Sequence, residues 1–181
     1  MKYSSLSQQG MTLIETLVAV FIFSISLVSL MVISARGIQS ISVASQRATS
    51  QFLAQEGVEI IEAIRDDNFI NTNISAWTEN LDQCFNTPCF LSAYDFQPNP
   101  TSAYPAPCGG QCPALMVDKM LGYQYTQGDR TPFVRSIIIN GDPVDPFIHV
   151  VSTVEWERAN VPYSVSVEKY MTNWFQANPS L

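Results

Sequence analysis

Basic residues are scarce in this chain. Lys and Arg number nine in 181 residues against sixteen Asp and Glu, giving a formal charge of −7. Such a balance lacks the basic footprint that gathers a nucleic-acid backbone, so nucleic acid is not expected as a main partner. Histidine occurs once, at His149. A Ser/His or Cys/His catalytic system would rest on that single residue, and it sits in a strand-like pattern that suits a structural role. Neither a phosphate-cradling glycine loop nor a metalloprotease motif is present. An enzyme is therefore not expected, and neither is a cofactor. Asp129, Asp142 and Asp145 fall in turn-rich sequence but lack the ligand density of a dedicated calcium loop, so no metal is expected. Proline is absent until Pro88, which leaves the first 87 residues free of the strongest helix breaker.

Charge is also absent where it would matter most. From Met11 to Ala35 the only ionisable side chain is Glu15, in the string MTLIETLVAVFIFSISLVSLMVISA. As a helix this run would be about 37 Å long, more than the ~30 Å hydrocarbon core of a bilayer. An ionised side chain near hydrocarbon costs a few kcal/mol, so it needs a partner, and its own stretch offers no cation. Gly10 directly precedes the run and Glu15 is the fifth residue after it. An ordinary secretory signal has its cleavage site after the apolar region. Here the only processing signal, Gln8-Gln9-Gly10, lies before it, and a cut after Gly10 would keep the membrane segment. Loop charge does not fix orientation, because Lys2 on one side is balanced by Arg36 and Arg47 on the other.

Beyond Ala35 the apolar residues Ile38, Ile41, Ala44, Ala48, Phe52, Leu53, Ile60, Ile61 and Ile64 recur close to a helical face. Gln39, Ser42, Gln46, Arg47 and Gln51 lie opposite. Glu56, Glu59 and Glu62 read as a solvated face. One helix is expected from about Thr12 to Asp66, its first half in lipid and its second amphipathic, with Gly37 and Gly57 as weak points. At near 80 Å it is longer than a domain of this size, so its first half is expected to project.

Residues 68–113 hold six of the eleven prolines and all four cysteines, and read as an irregular loop. After it the period becomes two. Phe133–Ile139, Phe147–Trp156 and Pro162–Trp174 alternate as half-buried strands, with Arg135 on the apolar face, and Leu121–Thr126 is a shorter candidate. The short connection near Asn160 predicts an antiparallel pair. The fold class is thus α+β: a long N-terminal helix packed on an antiparallel sheet of three or four strands, with residues 38–64 covering one sheet face. Trp77, Trp156 and Trp174 are expected in the core.

The string Gly10-Met11-Thr12-Leu13-Ile14-Glu15, with the apolar run behind it, closely resembles the processing signal of type IV pilins and type II secretion pseudopilins. The likeness covers Gln9 to about Asp67. A looser resemblance to minor, PilV-type or pseudopilin heads lies in Phe133-Val134-Arg135-Ser136-Ile137, Val154-Glu155-Trp156 and Tyr170-Met171-Thr172-Asn173-Trp174. Met11 stands where Phe is usual, and Val32 stands where major pilins bend at a proline, which points to a minor subunit. The family resemblance implies a leader 1–10 removed by prepilin peptidase and a methylated Met11. A transmembrane and filament-core helix 11–35, an amphipathic segment 36–67 and a head 68–181 would follow, with the sheet in 115–174. It implies that the Glu15 carboxylate meets the Met11 ammonium of a neighbouring subunit and sets axial register. The partners implied are other pilin subunits, the peptidase, the inner-membrane assembly platform and the membrane itself. The alternative is an uncleaved single-pass anchor carrying an extracytoplasmic binding domain.

Cys84, Cys89, Cys108 and Cys112 form two close pairs in sequence. A head outside the cytoplasm would hold them as disulfides, in one of three connectivities that spacing leaves open. A four-thiolate zinc cage is the competing use of the same spacing.

Overall fold

A computed structural model describes residues 12–70, 76–93 and 105–174. One helix, α1 (Leu13–Ile70), is followed by β1 (Cys89–Phe90), β2 (Ala106–Pro107), β3 (Ala114–Asp118), β4 (Gly122–Gln124), β5 (Asp129–Asn140), β6 (Phe147–Arg158) and β7 (Val161–Thr172). The architecture is α+β as expected, with a long N-terminal helix and an antiparallel sheet. Among the described residues that sheet has seven strands rather than three or four. Two compact units divide within α1 after Ser45.

In the first unit the stretch 13–35 carries no charge but Glu15 and is apolar on most sides, and Leu13, Ile14, Leu17, Phe21, Phe23 and Val28 are exposed. An 18-residue window reaches a mean hydropathy of 2.7, so the helix is long and apolar enough to cross a membrane. A helix apolar on most sides has little surface designed for water.

In the second unit, from Gln46, α1 is amphipathic. Ser50, Leu53, Ala54, Gly57, Val58, Ile61, Ile64 and Asn68 are buried on the i, i+3, i+4 period. Phe52 is exposed although the periodicity placed it on the apolar face, and Ile38 and Ile41 in the first unit are exposed too. The helix runs four residues beyond Asp66, because Asn68 secures its end by donating to the Trp77 and Glu79 carbonyls.

Strands β5, β6 and β7, each of 12 residues, form a meander in which β6 and β7 pair along their whole length and β5 pairs with β6 from Val134 to Asn140. The β6–β7 turn is two residues, Ala159 and Asn160, both at positive φ, which is the type I′ geometry that matches strand twist. The β5–β6 connection is clipped by Asp142 and Asp145, which accept backbone amides within it. β3 and β1 pair with the other edge of β5, and β4 and β2 extend them outward. β1, β2 and β3 escaped the sequence pattern. The first two are only two residues long, within proline-rich chain, and β3 (ALMVD) shows no clean alternation.

The core between helix and sheet has two parts. Leu53, Ala54, Leu115, Phe133, Val154 and Trp156 form one. Val58, Ile61, Ile64, Leu81, Ile137, Val150 and Met171 belong to the other, with Cys84 and Cys89. Gly57, Arg135 and Ser152 occupy the positions between them along α1, β5 and β6. Arg135 is fully buried. Its Nη1 donates to the Leu53 carbonyl and to Glu56 Oε2, and its Nη2 donates to the Leu91 carbonyl. Only an absent side chain at Gly57 lets helix and strands approach this closely: a Cβ there would sit 2.3 Å from Ser152 Oγ. Glu56 and Glu62 are consequently not a merely solvated face. Glu56 pairs with Arg135, and Glu62 accepts from Arg65 and Lys169. Trp77 and Trp156 are core residues, but Trp174 is 57% exposed and lies against Phe69 with ring centroids 4.8 Å apart.

Candidate functional site

The N-terminal end of α1 is built around Thr12 and Glu15. The Thr12 carbonyl accepts the amides of Glu15, at 3.0 Å, and of Thr16, at 3.3 Å, and so starts the helical ladder. Glu15 is the third helical residue, in the first turn. There the unpaired amides of the helix start carry partial positive charge, which favours a carboxylate. The spacing Thr12-x-x-Glu15 is also that of a capping box, in which an acid or amide at the third position can reach back to the cap. This local support explains how a carboxylate is tolerated at the start of an apolar helix. It does not neutralise the charge. Among the described residues no ion pair involves Glu15.

Hydroxyls further along are treated differently. Thr16 donates to the Leu13 carbonyl, and Ser24, Ser26 and Ser29 donate to the carbonyls of Val20, Ile22 and Ile25 at 2.8–2.9 Å. Each of these polar groups is satisfied within its own helix, which is what a segment without water requires. Glu15 is thus the one charged group of the apolar run, next to a set of self-satisfied hydroxyls. Gly10 and Met11, the other residues assigned to processing and register, lie outside the described residues.

The four cysteines form two local disulfides, Cys84–Cys89 and Cys108–Cys112. In this pairing no thiolate is left for a zinc ion. Cys84 and Cys89 are fully buried and tie the short helical turn at Asp82–Cys84 to β1. Cys108–Cys112 closes a loop whose Gly109 and Gly110 both have positive φ, a backbone that glycine adopts without strain. The Cys108 amide donates to the Pro88 carbonyl at 2.9 Å, so both disulfide segments meet at the base of β1.

The remaining polar candidates are structural. Asp129 begins β5 and Asp142 follows its end, roughly 40 Å apart along an extended strand, so Asp129 cannot share an ion with Asp142 and Asp145. His149 Nε2 lies 3.0 Å from Glu168 Oε2, and its ring stacks on Tyr170. Among the described residues no group of three or more His, Cys, Asp or Glu could hold a metal. Arg135 went unassigned in the sequence although a signal existed: one cation alternating with Phe133, Ile137 and Ile139 on an otherwise apolar strand face.

Residues 6–32 match the family model described as the prokaryotic N-terminal methylation motif. The match covers the leader end, Gly10, Glu15 and most of the apolar run. It supports a type IV pilin-like prepilin and, with the apolar helix, a membrane-anchored precursor. No curated protein and no solved structure matches the chain.

Proposed function

We propose that this chain is a minor type IV pilin or a type II secretion pseudopilin, a structural subunit that primes, caps or joins a filament. The observation that carries the reading is the methylation motif at residues 6–32 running directly into a 58-residue helix whose stretch 13–35 carries no charge but Glu15. In this account prepilin peptidase removes residues 1–10, and residues 11–35 hold the subunit in the inner membrane until the assembly platform extracts it. Residues 36–67 and 68–181 then present the amphipathic segment and head, outside the cytoplasm, in the periplasm or at the cell surface. The disulfides suit such an oxidising compartment.

Glu15 supplies register. Cutting after Gly10 creates an ammonium at Met11, and the Glu15 carboxylate pairs with that of the adjoining subunit. Each charge is costly alone in a low-dielectric bundle and favourable when paired, whereas apolar side chains slide past one another with little preference.

The test separates charge from helix capping. Glu15→Gln keeps a residue that serves at the third position of a capping box but removes the charge. In cells that carry a pilus or secretion system, Glu15→Gln is expected to be processed and to remain in the membrane fraction, excluded from sheared filaments. Wild-type levels of Glu15→Gln in filaments would refute pairing as the basis of register.

A further inference from the structure

The solvent face of the sheet, opposite α1, carries a groove of about 680 Å³, within the size range of ligand sites. Cross-strand register constructs its floor. Val134 of β5, Glu155 of β6 and Ser164 of β7 lie in one row, and Glu157 pairs with Pro162 in the next. One rim is the Gly110–Cys112 segment, held by the Cys108–Cys112 disulfide and by the Cys108 bond to Pro88. Pro88, Pro132 and Pro162 stand around it, so the walls are stiff and lose little entropy on binding. Glu155 and Glu157 are exposed, and among the described residues neither has an ion-pair or hydrogen-bond partner. The lining contains no Lys, Arg or His. Elsewhere on this sheet the outward acid Glu168 is paired, with His149.

We infer that this groove docks an extended segment of a partner protein through an arginine or lysine side chain. The aliphatic stem would lie along the proline walls and Val134. The cationic head would meet Glu155 and Glu157, with an arginine fork able to engage a carboxylate through two hydrogen bonds. Charge complementarity selects this occupant: a groove with two unpaired carboxylates and no cation rejects acidic segments. The proposal rests on the head alone, so it can fail without touching the assembly reading.

The test uses the full chain in non-ionic detergent and a fluorescein-labelled tetra-arginine peptide, with tetra-glutamate and glycine-serine peptides as controls. Saturable binding of the arginine peptide alone is expected. Glu155→Gln/Glu157→Gln should weaken it about tenfold or more, the loss expected for one or two charge-assisted contacts. The charge-matched control Glu59→Gln/Glu168→Gln, away from the groove, should leave it unchanged. Ser136→Trp, which fills the floor without altering charge, should abolish it. Equal affinity for the groove variant and the charge-matched control would overturn the proposal. So would equal binding of the glycine-serine peptide, or binding of calcium in place of the arginine peptide.

Discussion

Gly57→Ala is the sharpest test of how the second unit is packed. In an exposed helix interior, replacing glycine with alanine stabilises by about 1 kcal/mol. Here the added Cβ would fall 2.3 Å from Ser152 Oγ and 3.2 Å from both Ser152 Cβ and Arg135 Cδ. Ser152 Oγ can rotate away, but Ser152 Cβ is fixed to β6, and Arg135 is tethered at both ends of its guanidinium. Overpacking of this kind costs about 1–3 kcal/mol, so the propensity gain is cancelled or outweighed and a net loss of up to roughly 2 kcal/mol is expected. Ser152→Ala removes the nearest atom. Because Ser152 Oγ has no hydrogen-bond partner among the described residues, that change alone should be close to neutral. In the Ser152→Ala background the Gly57→Ala penalty should shrink by about 1 kcal/mol, beyond the ~0.5 kcal/mol scatter of independent sites. Urea unfolding followed by tryptophan fluorescence reads this unit selectively, because Trp77, Trp156 and Trp174 all lie in it. Stabilisation by Gly57→Ala, or an additive cycle, would refute the close-approach argument.

Arg135→Met should lower stability by about 2–4 kcal/mol in the same assay, since it strands the Leu91 carbonyl; Glu56, 30% exposed, recovers water. Arg135→Lys should recover only part of the loss, because a single ammonium nitrogen cannot span acceptors that Nη1 and Nη2 reach separately. Removing Cys84–Cys89 by a double alanine change should cost about 2 kcal/mol by loop-closure entropy, seen as a lower Tm. Asp118 accepts the Met120 and Leu121 amides, and these hold its carboxyl below the ordinary value of 3.8. A depressed folded-state value means its contribution is present above pH 3.8 and fades as pH falls through the lower value. The amide NMR shifts of Met120 and Leu121 should therefore titrate with a midpoint below 3.8, and a midpoint at or above it contradicts the assignment.

The long helix and the three long strands were legible because each rests on a strong local pattern. A proline-free stretch with apolar residues at helical spacing gave α1, and clean alternation gave β5, β6 and β7. The junction at Gly57, Arg135 and Ser152 was not legible. It joins residues 95 positions apart at its extremes, and nothing local shows that a helix glycine faces a strand serine. Phe52 misled for the same reason: its periodicity is right, but the width of the buried stripe is set by the sheet. Trp174 misled because an aromatic at a strand end can lie against Phe69 and remain exposed. At the N-terminus the methylation motif was readable at once, since a glycine, an acid at fixed spacing and an apolar run carry meaning without tertiary context. The cysteines gave their pairing only in three dimensions, where both disulfides prove local.

The central claim is that this chain is a prepilin cut after Gly10, and the mature amino terminus tests it most directly. Mass spectrometry of the protein extracted from membranes of its native host should find an amino-terminal peptide beginning at N-methyl-Met11, with Glu15 retained. A protein that still begins at Met1 would contradict the account and identify an uncut anchor instead.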